Sequence, residues 1–325
     1  MLLTLCAAGA AYGMDPGRAM SQYIRDGWGP DQGFPRGPVY AITQTPDGFL
    51  WIGAEAGLIR FDGWNFVLVT DPARKLQISN VLGLEPAADG GLWVRTQGTA
   101  LLHYHDGVFR SVGTAESGAS ITAMSRTARG ELLVAKAGQA FAYRNSAFSI
   151  LDSHASLPRS PVLSLAQTPD GDLWMGTRDA GLFRMAGDAT SSIRGGLPDS
   201  KVNCLLPDGN HGLWIGTDNG IARWNGAELT AAGLPSDTPP FQALSMLRDR
   251  DGNLWVGTDS RGLLRVNAAG IASLDDPSKG ARPAVTTVFE DREGNLWTGS
   301  ANRLERLRDS PFVSYSMPEG LPSDG

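Results

Sequence analysis

The chain has few cysteines and no cluster of basic residues. Its 325 residues include only two cysteines, Cys6 and Cys204, and carry a net charge of −6. Lysine and arginine nowhere form a run of three or more. Nucleic-acid binding without sequence preference needs a basic surface that displaces counterions, and attraction to an anionic membrane needs a polybasic patch. The composition therefore predicts neither a nucleic-acid partner nor contact with a membrane.

The sequence also lacks an apolar run long enough to cross a bilayer. The most apolar stretch, residues 2–11, is short and rich in small residues, which is typical of the hydrophobic and cleavage regions of a secretory signal peptide. We predict a signal peptide over residues 1–13, cleaved after Ala10 or Gly13. Its removal would leave Cys204 as the only cysteine, so the mature chain could form no internal disulfide.

Motifs for catalysis and metal binding are missing as well. The sequence contains no Ser/His/Asp set, no glycine-rich phosphate loop and no Cys/His cluster. His103 and His105 share a strand face, but no third ligand accompanies them. The Asp-Gly turns lack the spaced carboxylates of a calcium loop. We predict no catalytic residue, no metal site and no cofactor.

What the sequence does contain is a repeated motif rich in glycine and tryptophan. The motif reads Asp-Gly-x-Leu-Trp-x-Gly-Thr, as at residues 251–258, and seven copies occur at intervals of 40–42 residues. Such a constant period marks a repeat architecture. One copy, at residues 129–134, is degenerate and has leucine in place of tryptophan. The positions of this Trp column are Trp51, Trp93, Leu133, Trp174, Trp214, Trp255 and Trp297.

Each repeat contains four short apolar segments separated by Gly, Asp or Asn, which accept the backbone angles of tight turns. In the fifth repeat these segments are residues 202–206, 213–217, 221–224 and 228–231. Four strands in each of seven repeats predict an all-β fold, a seven-bladed β-propeller with four antiparallel strands per blade. The predicted propeller covers residues 20–317. Residues 318–325 begin a further, truncated repeat.

When the repeats are aligned on the Trp column, three other positions also hold one type of residue in most repeats. The inner strand has a small residue at its third position, which explains Cys204 as a small buried residue. A glycine follows two positions after the tryptophan on the same strand face, and we expect it to leave room for an indole. The third strand carries a basic residue, which we expect to stack on aromatic rings or to pair with acids between blades. This basic column comprises Arg60, His103, Arg184, Arg223, Arg265 and Arg306, with Tyr143 in the degenerate repeat.

Two segments could complete blade seven, because a strand-like stretch lies at each end of the repeats. Residues 21–24 precede the first blade, and residues 312–316 follow the third strand of the last. One of them is surplus. We expect residues 312–316 to form the outer strand of blade seven and residues 21–24 to lie loosely at the seam or to be free.

One rim of a propeller carries the loops that lead into the inner strands and the joins between second and third strands. These positions vary from repeat to repeat and include long, charged side chains, which is a mild indication of function. Their mixture of Arg, Lys, Asp and Gln suits a small polar ligand such as an oligosaccharide, although any solvated rim could look similar. The leading loops supply Arg36, Asn80, Arg159, Lys201 and Gln242, and the joins supply Glu55, Gln97, Arg178, Asp218 and Asp259.

The repeats and their Gly-Leu-Pro linkers, as at residues 196–198, 233–235 and 320–322, resemble the two-component regulator propeller repeat. The opening residues 23–28, followed by 31–35, also resemble the start of that family's first blade. The resemblance implies a periplasmic sensory propeller of a bacterial receptor whose output domain is a histidine kinase or a diguanylate cyclase. In some members it implies oligosaccharide ligands.

The chain departs from the family's usual layout, since it has no membrane helix and no kinase or cyclase motif. We therefore expect a fragment that ends after the first propeller and whose partners include downstream receptor domains. Two alternatives stay open. One is a protein-interaction scaffold. The other is an enzyme similar to the streptogramin lyases, which share the fold; of the four histidines, we expect only His154, in a linker, to reach the ligand face.

Overall fold

The computed structural model describes residues 13–70, 78–99, 101–113, 119–151, 160–187, 189–231, 234, 238–274 and 282–310. These residues form seven four-stranded antiparallel sheets, and two 3-10 turns at Met20–Gln22 and Pro30–Gln32. The predicted seven-bladed β-propeller is confirmed.

The strands follow the repeats in order, and a blade takes its number from its repeat. Blade 1 contains β2 (Val39–Gln44), β3 (Leu50–Ala54), β4 (Gly57–Phe61) and β5 (Phe66–Leu68); blade 2 contains β6 (Val81–Pro86), β7 (Leu92–Thr96), β8 (Leu101–His105) and β9 (Val108–Val112). Blade 3 contains β10 (Ile121–Arg126), β11 (Leu132–Lys136), β12 (Gln139–Arg144) and β13 (Ala147–Ile150); blade 4 contains β14 (Val162–Gln167), β15 (Leu173–Thr177), β16 (Leu182–Ala186) and β17 (Ala189–Ile193). Blade 5 contains β18 (Val202–Asp208), β19 (Gly212–Thr217), β20 (Gly220–Trp224) and β21 (Leu229–Ala231); blade 6 contains β22 (Ala243–Arg248), β23 (Leu254–Thr258), β24 (Leu263–Asn267) and β25 (Gly270–Ser273). Blade 7 contains β26 (Val285–Glu290), β27 (Leu296–Ser300), β28 (Leu304–Arg308) and, as its outer strand, β1 (Ile24–Trp28).

The ring is closed by the N-terminal segment, so the predicted closure is wrong. β1 pairs with β28 in antiparallel register, with Ile24 opposite Arg308 and Trp28 opposite Leu304. Residues 312–316, which we expected in that place, lie outside the described residues. Pairing through β1 satisfies the backbone groups along the edge of β28 and joins the two ends of the repeat array.

Residues just before β1 anchor this closure on blade 6. The side chains of Met14, Met20 and Tyr23 are buried against Trp255 and Leu307. The backbone carbonyl of Met14 accepts a hydrogen bond from the Asn253 amide at 2.8 Å. The seam is therefore packed, and residues 1–12, which hold most of the predicted signal peptide, lie outside the described residues.

The glycine two residues after five of the six column tryptophans makes room for an inner strand, not for an indole as we expected. A Cβ atom at Gly53 would lie 2.8 Å from Val81 Cγ1, on the inner strand of the next blade. At Gly216 it would collide with Cys204 Sγ and would lie 3.0 Å from the Cβ of Ala243. Near the axis, seven inner strands crowd together, and each bulges between its first and third residues.

Cys204 belongs to this crowded layer. The residue is half-buried, and burial of its sulfur raises the pKa of the thiol to about 12. A thiol held protonated in this way is a poor nucleophile, because the thiolate is the reactive form. The structure supports the interpretation of Cys204 as a small packing residue.

Substitution of Gly216 by alanine is expected to destabilise the protein by about 1–3 kcal/mol, because the added methyl group overpacks the inner layer. Cys204→Ala in the same chain should recover part of this loss, with a coupling of at least about 0.5 kcal/mol in urea unfolding experiments. Gly195→Ala is the control, because a Cβ atom there meets nothing within 4 Å. Additive effects of the Gly216 and Cys204 substitutions would contradict this account of the glycine column.

The basic column is structural, as predicted, but its acidic partners lie mostly within the same blade. Arg184 Nε donates to Asp172 at 2.6 Å, and its guanidinium lies 5.4 Å from the ring centres of both Trp174 and Trp224. Trp224 belongs to the next blade, so the stacking of Arg184 crosses the interface between blades 4 and 5. The ion pair with Asp172 stays within blade 4. In the degenerate repeat the column residue is Ala142, which pairs with Leu133. The assignment of Tyr143 to this column is therefore wrong by one residue.

Four of the six tryptophans in the Trp column are held by a side chain that the sequence reading did not single out. The indole N–H donates to a Thr or Asp six residues earlier, as from Trp255 to Asp249 at 2.7 Å and from Trp51 to Thr45 at 2.8 Å. The same bond joins Trp297 to Asp291 and Trp174 to Thr168. Each bond closes the turn between first and second strands over the buried ring.

Candidate functional site

Nine of the ten predicted site residues lie on one rim of the ring, which we call the upper rim. There the residue after the second strand donates its N–H to the carbonyl of the residue that leads into the inner strand. Such bonds join Gln97 to Asn80 at 3.1 Å and Asp259 to Gln242 at 3.2 Å. The opposite, lower rim carries the turns between strands one and two and between strands three and four.

The structure brings only some of these residues together. Lys201, Asp218, Gln242 and Asp259 meet where blades 5 and 6 adjoin. The others are spread around the rim, with Arg36 and Glu55 on blade 1, Asn80 and Gln97 on blade 2, and Arg178 on blade 4. Arg159 lies outside the described residues.

Asp218 is the centre of the blade 5–6 cluster. Its carboxylate accepts hydrogen bonds from Lys201 Nζ at 3.0 Å, from Asn203 Nδ2 at 2.8 Å and from Gln242 Nε2. Burial alone would raise the pKa of Asp218, but the hydrogen bonds from Asn203, Gln242 and Lys201 outweigh it and hold that pKa below its ordinary value. The cluster is a fixed, ionised group of donors and acceptors at neutral pH.

Asn203 is a member of this cluster that sequence reasoning missed. It is the second residue of inner strand β18, and its amide also donates to the carbonyl of Ala243 on the next inner strand at 3.1 Å. The corresponding residues in other repeats are mostly apolar or threonine, such as Leu163, Leu244 and Thr286. The amide of Asn203 at this position of the repeat alignment is the feature from which the sequence could have indicated its role.

A small cavity of about 130 Å³ adjoins the cluster on the same rim. Asn219, Pro239 and Phe241 line it. The guanidinium of Arg261 lies over the ring of Phe241 at 5.7 Å. Phe241 is itself buried, with 3% of its surface exposed, so what the cavity offers a ligand is chiefly the polar groups around it.

Arg95 is a second residue that the sequence reading missed. It stands where other blades have the glycine after tryptophan, and Gly83 opposite it supplies the space. Its guanidinium donates to the Leu82 carbonyl at 3.0 Å, its Nε has no hydrogen-bond partner, and burial lowers its pKa to about 10. The sequence indicated this half-buried arginine by having Arg95 at a position where most repeats have glycine.

In the described part of the chain, no three His, Cys, Asp or Glu side chains are grouped so as to hold a metal ion. No helix there has the length and apolar character needed to span a membrane. His211 lies on the lower rim, bonded to Asp170 at 2.7 Å, and His103 and His105 lie on β8. His154 lies outside the described residues.

Comparison of the sequence with family models supports the resemblance inferred from the repeats. The model described as "Two component regulator propeller" matches residues 33–56, 156–179, 196–219 and 239–260. Each match covers the loop leading into a blade and that blade's first two strands, in blades 1, 4, 5 and 6. No curated protein sequence matches the chain significantly.

Solved structures of similar fold include extracellular domains of two-component systems and a lyase. The extracellular domain of one B. thetaiotaomicron hybrid two-component system matches with a TM-score of 0.73 at 20% identity, over 89% of this chain and 42% of that one. A second such domain matches with a TM-score of 0.70 at 18% identity, over 88% and 39%. Virginiamycin B lyase from Staphylococcus aureus matches with a TM-score of 0.67 at 14% identity, over 88% and 99%.

Identities this low show the fold alone. The chain spans about two-fifths of the length of the sensor domains it matches. The repeat matches are the more specific finding, because they fall on the same motif that repeats in the sequence. The chain is thus a seven-bladed propeller with matches to the two-component regulator propeller repeat in blades 1, 4, 5 and 6.

Proposed function

We propose that this propeller is the extracytoplasmic ligand-binding part of a bacterial two-component or cyclic-di-GMP signalling receptor. The proposal is supported by the repeat family and by the sensor domains of similar fold, which are longer than this chain. In such a receptor the propeller would lie in the periplasm, and further domains of the same protein would carry the output.

The ligand we propose is a small polar molecule such as an oligosaccharide, bound on the upper rim. The observation that carries this proposal is the Asp218 cluster, in which a lysine, two amides and a carboxylate from two blades converge beside a small cavity. Sugar hydroxyls pair with both donors and acceptors, which this cluster supplies. Arg36 and Arg178, both exposed on the same rim, would extend the contact surface.

A thermal-shift screen of the purified chain against neutral and acidic oligosaccharides tests the proposal. For a ligand that raises the melting temperature, Asp218→Ala should weaken binding at least about tenfold in calorimetry, since three donors lose their acceptor. Asp170→Ala is the matched control, because it removes a paired aspartate from the lower rim and should leave affinity unchanged. Binding that survives Asp218→Ala unaltered, or no binding by any oligosaccharide, would refute the proposal.

An enzyme is the second candidate, favoured by the lyase match that spans nearly all of that protein. We infer that this chain is not a lyase, because the described histidines lie away from the upper rim. Incubation with quinupristin, the compound present in one lyase structure, should leave it intact by mass spectrometry. Turnover that is lost in His154→Ala would overturn this inference and would identify the linker histidine as catalytic.

A further inference from the structure

A row of three side chains crosses the face of blade 2 that is turned toward blade 3. Trp93 on β7 pairs with His103 on β8, and His103 pairs with Arg110 on β9, so the three side chains project from the same face. In most other blades the middle position of this row is an arginine. In blade 2 the middle residue is His103, and the arginine of the row, Arg110, lies on the outer strand β9.

The blade 4–5 interface shows what an arginine in this position does. There Arg184 fills the space between Trp174 and Trp224, 5.4 Å from each ring. The corresponding residues between blades 2 and 3 are His103, Trp93 and Tyr143. His103 is shorter than arginine: its ring lies 4.7 Å from that of Trp93 and its Nε2 3.2 Å from the Asp89 carboxylate, but no ring contact joins it to Tyr143, so the space on the Tyr143 side is left open.

The result is a groove of about 400 Å³ on the lower rim, which we call the blade 2–3 groove. Trp93, His103, Arg110 and Tyr143 line it, and Tyr143 packs edge-to-face on Trp93 with ring centres 4.7 Å apart. Its volume lies within the range of small-molecule sites, at the lower end. Its walls are aromatic and its mouth is charged.

Trp93 differs from other tryptophans of its column in one further respect. The residue six positions earlier is Ala87, also in the groove wall, and a methyl group cannot accept the hydrogen bond that Thr45 or Asp249 accepts in other blades. In the described structure the Trp93 indole N–H has no protein acceptor. A ligand in the groove can supply one.

The charges of the groove leave one group available. Asp89 is paired with His103 and accepts from the N–H of Gly91 at 3.0 Å. Glu131 is held by two hydrogen bonds from Arg144, each 2.8 Å long. Among the described residues Arg110 has no acidic partner, so its guanidinium is free to pair with a carboxylate in a bidentate fashion.

From this geometry we propose that the blade 2–3 groove is a second binding site, which takes a six-membered ring bearing one carboxylate. The ring lies against the Trp93 and Tyr143 side chains, an oxygen accepts from the Trp93 indole N–H, and the carboxylate pairs with Arg110. Both a sugar acid and an aromatic acid have this chemistry. The site is on the rim opposite the Asp218 cluster and is independent of the ligand proposed there.

Calorimetric titration of the full chain with D-glucuronate and with 4-hydroxybenzoate tests this site, with D-glucose and phenol as the uncharged counterparts. At least one acid should bind, and at least about tenfold more tightly than its uncharged counterpart. Binding of glucuronate alone would identify a sugar-acid site, and binding of hydroxybenzoate alone an aromatic-acid site. The absence of binding by both acids up to about 10 mM would overturn the proposal.

Three variants separate this site from the upper rim. Arg110→Ala should weaken binding of the acid at least about tenfold, whereas Arg194→Ala, an exposed arginine on blade 4, should not. His103→Arg restores the residue of the other blades and should fill the groove, abolishing binding without lowering the melting temperature. Asp218→Ala should leave this binding unchanged. Wild-type affinity in both Arg110→Ala and His103→Arg would overturn the proposal, whatever the outcome at the upper rim.

Discussion

Removal of residues 13–28 is expected to lower the free energy of unfolding by about 5 kcal/mol or more. The truncated chain loses β1 and exposes the paired edge of β28. It also loses three side chains that are almost fully buried, Met14, Met20 and Tyr23, each worth about 1.5–3 kcal/mol of apolar burial. Urea unfolding followed by tryptophan fluorescence measures the change.

A point substitution on the same strand provides the control for this truncation. Arg25→Ala removes a surface ion pair with Glu305, 3.0 Å long, and should cost less than about 1 kcal/mol. If the truncated chain unfolds at the same urea concentration as the complete one, residues 312–316 must be able to serve as the outer strand. That result would restore the closure expected from the sequence.

Substitution of Trp255 by alanine is expected to cost about 3–5 kcal/mol, the range for large aromatic residues removed from a core. The side chain is completely buried, and its indole N–H donates to Asp249. Asp249 is itself buried and would lose one of its hydrogen-bond donors. Chemical denaturation of the two proteins gives the difference directly.

Two further variants show which part of the loss comes from burial and which from the hydrogen bond. Trp255→Phe keeps an aromatic ring but cannot donate to Asp249, so it should cost less than the alanine substitution. Trp214→Ala should also cost less, about 2 kcal/mol, because Trp214 is half-buried and its N–H has no partner. In that blade Asp208 is bound by Arg223 and Arg248 instead. Equal losses at Trp214 and Trp255 would contradict the roles assigned to burial and to the Asp249 bond.

The candidate site was predictable in part. The repeat alignment assigned Lys201, Asp218 and Gln242 to one rim, because each falls at a fixed offset from a strand whose place in the blade is known. It could not show that these three meet while Arg36 and Arg178 stand apart. That depends on which side chains of neighbouring blades reach one another, and on Asn203, whose role is visible only from its bonds to Asp218 and Ala243.

The sequence by itself determined the number of blades, the four strands in each and the buried tryptophan at their centre. These follow from local signals, namely turn residues and apolar segments repeated every 40–42 residues. The tertiary structure alone decided how the ring closes, what the glycines leave room for and where the blade 2–3 groove opens. Each of these depends on contacts between distant residues, such as Trp28 with Leu304 or Trp93 with Tyr143. Two end segments with similar strand patterns cannot be told apart by their own sequence, because the choice rests on which of them buries more side chains against blades 6 and 7.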